Sequence, residues 1–305
     1  MSTPENVSFK SQGLKIAAHF YRPVQGSPDR GGAAVVIAHP WTSIKEQSPA
    51  NYARVLTQAG FYCICPDSAY QGESGGEPRS LEDPYQRVED IKNAVTFLVG
   101  HKDVNSDRIG ALGICAAGGY VPFAAQTDTR IKAVGTSAAV CVGTMARRGY
   151  DQDSSNLEVL KTQLSAAANS RNSDVGAADK VPLVDMLPPS LEAAPKDLPE
   201  SFRDLTSYYK TDRGKNLARN QTHPRGWDLM ANFDALRHNY MISPRPLLMI
   251  TGTKAATKWY SEDGIAFAKE PKELFVIDGV THADLYDRID VAGKKLVEFY
   301  SKYLV

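Results

Sequence analysis

The sequence lacks an excess of charge of either sign: 35 lysines and arginines stand against 35 aspartates and glutamates, for a formal net charge of zero. Such a balance provides no broad field for nucleic acid or an anionic membrane surface, and neither is expected as a partner. Cysteine is scarce. The four present in 305 residues, Cys63, Cys65, Cys115 and Cys141, show no metal-ligand spacing. Cys63 and Cys65 alternate within "FYCICPD" and so share one face of a strand. No metal is expected, and a reducing, cytoplasmic setting fits this usage. The opening "MSTPENVSFK" has no basic-then-apolar pattern, so no secretory signal is expected. No apolar run approaches the roughly 18 residues of a membrane-spanning helix. Neither an internal repeat nor a low-complexity tract is visible. "GICAAGG" lacks the lysine of a phosphate loop and the spacing of a dinucleotide fingerprint, so no nucleotide cofactor is expected.

The sequence does contain enough apolar residues, 42% of the chain, to build one large core. "NVSFKS" and "LKIAAHFYRP" predict a hairpin turned at Gly13. Apolar strands and helical patterns then alternate: strand "GGAAVVIAH", helix "SPANYARVLTQAG", strand "FYCICPD", helix "DPYQRVEDIKNAVTFLVGH", strand "RIGALGIC", helix "AAGGYVPFAAQT" and strand "RIKAVGTSAAV". Later come strand "PLLMITGT", helix "YSEDGIAFAKE", strand "KELFVIDGV" and one closing helix, "ADLYDRIDVAGKKLVEFYSKYL". This order predicts an α/β fold, a mostly parallel sheet with helices on both faces. Residues 141–240 break the alternation and are too long for a simple connection, so they predict an inserted, mainly helical cap. The core is then 1–140 and 241–305.

In "RIGALGICAAGGYV" a strand breaks sharply into a helix at Cys115, with Gly113 two residues before it and Ala117 two after. A nucleophile elbow demands small residues at those places, because larger ones would collide with the adjoining strand and helix. Cys115 is either such a nucleophile or a small buried thiol at a tight turn, and the strand–turn–helix context favours the first. A helix N-terminus also favours the thiolate. Of the six histidines, His282 follows the last strand and precedes the last helix, where the chain order nucleophile–acid–base would put it. His39 ends a strand before a loop and reads as structural. An oxyanion needs two backbone N–H donors. Ala116, next to Cys115, is expected to supply one; Pro40 has no N–H, so Trp41 is the candidate for the other, with Thr42 in reserve. Trp227 in the insertion and Tyr70 in "DSAYQGESGGEPR" are candidate substrate contacts, whereas Asp67, Ser74 and Arg79 of that loop read as bracing.

Taken together, "HPWTSIKEQ", "PDSAYQGESGGEPR", "RVEDIKNAVTFL", "RIGALGICAAGGY", "ISPRPLLMITGTKA" and "GVTHADLYD" resemble the α/β-hydrolase superfamily, within its dienelactone-hydrolase-related, polyketide-transferase-like branch. The resemblance implies an α/β-hydrolase fold with an eight-stranded sheet, Cys115 as nucleophile, His282 as base, no cofactor, and a small-molecule or carrier-bound ester, lactone or thioester as substrate. The chain departs from the pattern at one place. Where relatives carry aspartate after the strand "PLLMITG", this sequence has Ala256. Three readings follow, in this order: an alanine introduced into this chain, a substitute carboxylate at Glu262, Asp263 or Asp278, or a protein that binds without catalysis. The first implies that Ala256→Asp raises acyl hydrolysis at least tenfold. Transfer of the acyl group to an alcohol or amine is the other catalytic outcome.

Overall fold

The computed structural model describes residues 3–150, 157–173, 181–215 and 217–305. Its first strands, β1 (Glu5–Ser11) and β2 (Leu14–Tyr21), form the expected antiparallel hairpin, turned at Gln12 and Gly13 with φ of 46° and 83°. Next come β3 (Ala34–Ala38), α1 (Ser48–Gln58), β4 (Tyr62–Pro66) and α2 (Pro84–Val99). α2 starts where Asp83 accepts from the N–H groups of Tyr85 and Gln86, with Pro84 in the first turn. It buries Val88, Ile91, Val95 and Leu98, the apolar spacing of one helical face. β5 (Ile109–Ile114), α3 (Ala117–Thr127) and β6 (Ala133–Ser137) follow.

Beyond β6 the alternation stops. The chain forms α4 (Val142–Arg148), α5 (Leu157–Ser173), strand β7 (Val184–Asp185), α6 (Glu200–Tyr209), strand β8 (Gln221–Thr222), α7 (Gly226–Ala231) and a single 3-10 turn at Asn239–Met241. β7 and β8 pair with each other, apart from the main sheet. The main sheet resumes with β9 (Leu247–Gly252), α8 (Lys258–Ala266) and β10 (Lys272–Ile277), and the chain closes with α9 (Asp284–Asp287) and α10 (Asp290–Tyr303). Strand order in the eight-stranded sheet is β1-β2-β4-β3-β5-β6-β9-β10, antiparallel in the first two pairings and parallel in the rest. The central strands β3, β5, β6 and β9 are buried throughout, which is why they read as continuous apolar runs.

Two glycines of β5 show how helices cover both faces. Gly110 and Gly113 are an odd number of residues apart and face opposite sides. A Cβ on Gly110 would lie 2.8 Å from the Tyr300 ring of α10, and one on Gly113 2.0 Å from the Ala117 carbonyl of α3. Two expectations are corrected. The β6 strand ends at Ser137 rather than Val140, because Ala138 turns to φ 50°. The closing helix is two helices, because the Leu285 and Tyr286 carbonyls accept from Tyr52 and Asn51 of α1 at 2.8 and 2.9 Å instead of continuing a helical ladder. No described helix is long and apolar enough to cross a membrane.

Candidate active site

Cys115 occupies the corner between β5 and α3 with φ 56°, a left-handed conformation that costs a non-glycine residue about 1–3 kcal/mol. Backbone bonds hold it there. Its N–H donates to the Ser137 carbonyl at 3.0 Å, and its own carbonyl accepts from Gly118 and Val140 at 2.8 and 2.9 Å. The small neighbours are obligatory, since a Cβ on Gly118 would sit 2.6 Å from the Ala139 backbone.

Three groups bear on the sulfur: the backbone N–H groups of Ala116 and Trp41, and the Tyr286 hydroxyl, whose single proton serves either a thiolate or His282 Nε2 and whose oxygen can accept from the neutral thiol. The structure thus brings Trp41, from the loop after β3, to Cys115 beside the adjacent Ala116. Burial nevertheless outweighs these donors and pushes the Cys115 thiol up to about 11. The thiolate expected from the helix N-terminus alone is therefore not the resting form; the dipole acts locally, while desolvation comes from the whole fold. Below that pKa the neutral thiol dominates, so alkylation of Cys115 by iodoacetamide should quicken about tenfold per pH unit from pH 7 to 10. Intact-mass kinetics would check this, and a plateau near pH 8 would contradict it.

The His282 ring is 2% exposed, and burial lowers its pKa to about 3, so the imidazole is neutral at rest. Its Nδ1 meets the Thr257 hydroxyl at 2.5 Å and its Nε2 meets the Tyr286 hydroxyl at 2.9 Å. The ring therefore reaches Cys115 through a phenol. None of the candidate carboxylates supports it. Glu262 is paired with Lys258, Asp263 faces Arg148 at 4.0 Å and Asp278 accepts from Thr253, all in exposed or half-exposed positions on other elements. Ala256 carries no polar group, and its neighbour Thr257 supplies the contact instead. A carboxylate only accepts hydrogen bonds, which fixes the ring proton on Nδ1 and stabilises imidazolium; a hydroxyl orients the ring without supplying that charge. Thr257 and Tyr286 were missed in the sequence. Tyr286 carried a signal, since i and i+4 positions of a helical turn share a face.

The loop bearing Trp41 is fixed from behind. Arg87 donates to the His39 carbonyl at 2.8 Å and meets His39 Nε2 at 2.9 Å, while His39 Nδ1 lies 2.6 Å from the Pro40 carbonyl. Burial and then the Arg87 charge hold His39 well below its ordinary pKa, so the ring is a neutral structural linker. Buried Glu82 balances Arg87 at 3.3 Å and accepts from Tyr120 of α3 at 2.7 Å. Lys45 ties the same loop to the next one, bonding Asp67, Glu46 and Glu73 at 2.7 Å each. That ammonium occupies the one carboxylate cluster among the described residues compact enough for a cation. Asp67, Ser74 and Arg79 brace their loop as read, through bonds such as Ser74 to the Asp67 carbonyl at 2.7 Å. Tyr70 does not reach the cavity: at φ 69° it bonds Gly75 and Ser80 within its own turn.

Above Cys115 lies a cavity of about 340 Å³ whose floor includes Ala116, Trp41 and Tyr286. The segment between β6 and β9 makes the rest. α6 turns Phe202, Leu205 and Tyr209 inward, at the i, i+3, i+7 spacing of one helical face, and Trp227 of α7 meets Trp41 edge to face at 5.4 Å. The same segment is latched to the histidine loop. Asp204 of α6 accepts from the Thr281 hydroxyl and the Ala283 N–H at 2.9 Å each, and Arg213 bonds Asp284 and Asp287. These contacts hold His282 from both sides along the chain.

No protein-family model matches the sequence. The chain is 35% identical over 276 residues to the uncharacterized protein YcjY of Escherichia coli, covering 90% of this chain and 89% of that one. It superposes on the crystal structure of the hypothetical protein PA2218 from Pseudomonas aeruginosa with a TM-score of 0.90 and 33% identity, covering 99% and 94% of the two chains. The alpha/beta hydrolase GrgF from Penicillium sp. sh18 follows with a TM-score of 0.82 and 21% identity over 99% of both chains. A shorter stretch of 135 residues, 44% of each chain, is 30% identical to the polyketide transferase claH of Penicillium crustosum.

Proposed function

We propose that the chain, which belongs to one family with YcjY and PA2218 and has the α/β-hydrolase fold, is a member of the polyketide-transferase-like branch and cleaves ester or thioester acyl bonds through a covalent intermediate on Cys115. One observation carries this reading: a strained cysteine at the floor of an apolar cavity, with the Ala116 and Trp41 N–H groups and the Tyr286 hydroxyl converging on its sulfur.

As the sulfur attacks the substrate carbonyl, the thiol proton passes to the Tyr286 oxygen while the Tyr286 proton passes to His282 Nε2. No free thiolate need accumulate. The Ala116 and Trp41 N–H groups take the developing oxyanion. The same chain run backwards protonates the leaving oxygen or sulfur. In the second half-reaction it removes a proton from water, or from an alcohol or amine if the acyl group is transferred. Product partition with added nucleophile measures which acceptor wins. The apolar walls formed by the insertion act as a cap that keeps water from the intermediate.

The test is covalent. A p-nitrophenyl ester mixed with the protein should give one acyl adduct on Cys115 by peptide mass spectrometry. A protein left unmodified up to pH 10 is a binding protein and not an enzyme of this kind. Thr257 in place of an acid predicts a slow enzyme. Thr257→Asp, rather than Ala256→Asp, should offer Nδ1 a charge, raise the His282 pKa above about 3 and increase turnover at least tenfold, because the side chain at 257 is the one that faces the ring. NMR titration of the ring and kcat measured together would check both.

A further inference from the structure

The cavity at Cys115 shares a wall with a second hollow. Met186, Leu187, Pro199 and Phe202 line it on one side and, on the other, line a groove of about 830 Å³ on the insertion. That groove runs along the stretch "MLPPSLEAAPKDLPESF", which the chemistry at Cys115 leaves unused. Pro188 and Leu198 continue its wall. Proline removes backbone N–H donors and fixes the chain, so the wall is stiff and offers few hydrogen bonds. The charged residues lining it, Asp185 and Lys210, are already engaged, with the Gln221 amide at 2.9 Å and the Arg219 carbonyl at 3.4 Å.

We infer that the substrate carries an uncharged aliphatic acyl chain longer than the inner chamber, its far end lying in this proline-walled groove. The inference rests on Cys115 being the acylated residue. The chain belongs to the acyl side for a geometric reason. The leaving atom must face Tyr286 and His282 to be protonated, and that side is walled by Tyr150 and Tyr209, whose rings lie 5.7 Å from His282 and 5.9 Å from Tyr286. In this proposal the acyl limb passes Met186 and Phe202, which the two hollows share. Each methylene buried there should raise kcat/KM about fourfold until the groove is filled.

The test is a series of p-nitrophenyl esters from acetyl to dodecanoyl, below their aggregation limits, with matching acetate esters of butanol to decanol. Decanoyl is expected to exceed butyryl at least a hundredfold in kcat/KM. Leu198→Trp, which fills the groove, and Leu198→Asp, which charges it, should each cut the decanoyl-to-butyryl ratio at least tenfold; butyryl turnover in the same samples reads the integrity of the fold. A flat ratio, or a length effect confined to the alcohol side, overturns the inference while leaving acyl cleavage in place. A protein that no ester acylates loses both.

Discussion

Cys115→Ala is expected to abolish the acyl adduct and lower ester turnover by at least about 10⁴-fold, with the fold intact. The small side chain suits the corner: alanine keeps Cβ and adds no bulk where Gly113 and Gly118 already show the tolerance to be nil. The oxyanion donors would remain and could still polarise a bound carbonyl, so a trace of hydrolysis by water is expected, of the size left when any hydrolase loses its nucleophile. Cys115→Ser should stay at least about a hundredfold below the parent. A serine hydroxyl is far less acidic than a thiol, and Thr257 lends His282 no negative charge with which to take the proton. Turnover by Cys115→Ala at the parent rate would remove Cys115 from the chemistry.

The sheet, the corner and the histidine were legible because each is written locally. Central strands are continuous apolar runs, the elbow is a spacing of small residues, and His282 sits in a fixed place in the order of elements. What was not legible depends on distant chain segments meeting. Asp204 and Arg213, on and just after α6, fix the histidine loop from more than seventy residues away, and nothing in their own neighbourhood announces it. The acid position shows a finer limit. Sequence order pointed to Ala256 and to nearby carboxylates, yet in the turn before α8 the adjacent Thr257 faces the ring, since neighbouring side chains diverge and only the folded turn decides which points inward. Dipole reasoning favoured a thiolate, and the fold buried it instead.

Tyr286→Phe separates a proton route from a scaffold. With the phenol oxygen gone, the neutral thiol has no acceptor and His282 Nε2 has no donor. We expect kcat to fall about 10²–10³-fold, within the range for losing one positioned proton-transfer group. KM should change little, because the ring keeps its edge-to-face contacts with Tyr208 at 4.9 Å and Tyr209 at 5.9 Å. The pH profile carries the argument. Without the relay only the free thiolate can attack, so kcat/KM of the variant should climb tenfold per pH unit toward a thiol pKa above about 11, and its deficit should shrink as pH rises. The direction follows from the hydroxyl's own influence: it favours the anion, so its loss moves the thiol pKa further up. Leaving Nε2 buried without a partner should also cost stability by about 1–3 kcal/mol, a change that denaturant titration would read separately. A parent-like rate would make the tyrosine scaffold alone. A faster variant would mean that the phenol holds the imidazole away from the sulfur, and that histidine and cysteine meet directly once it is removed.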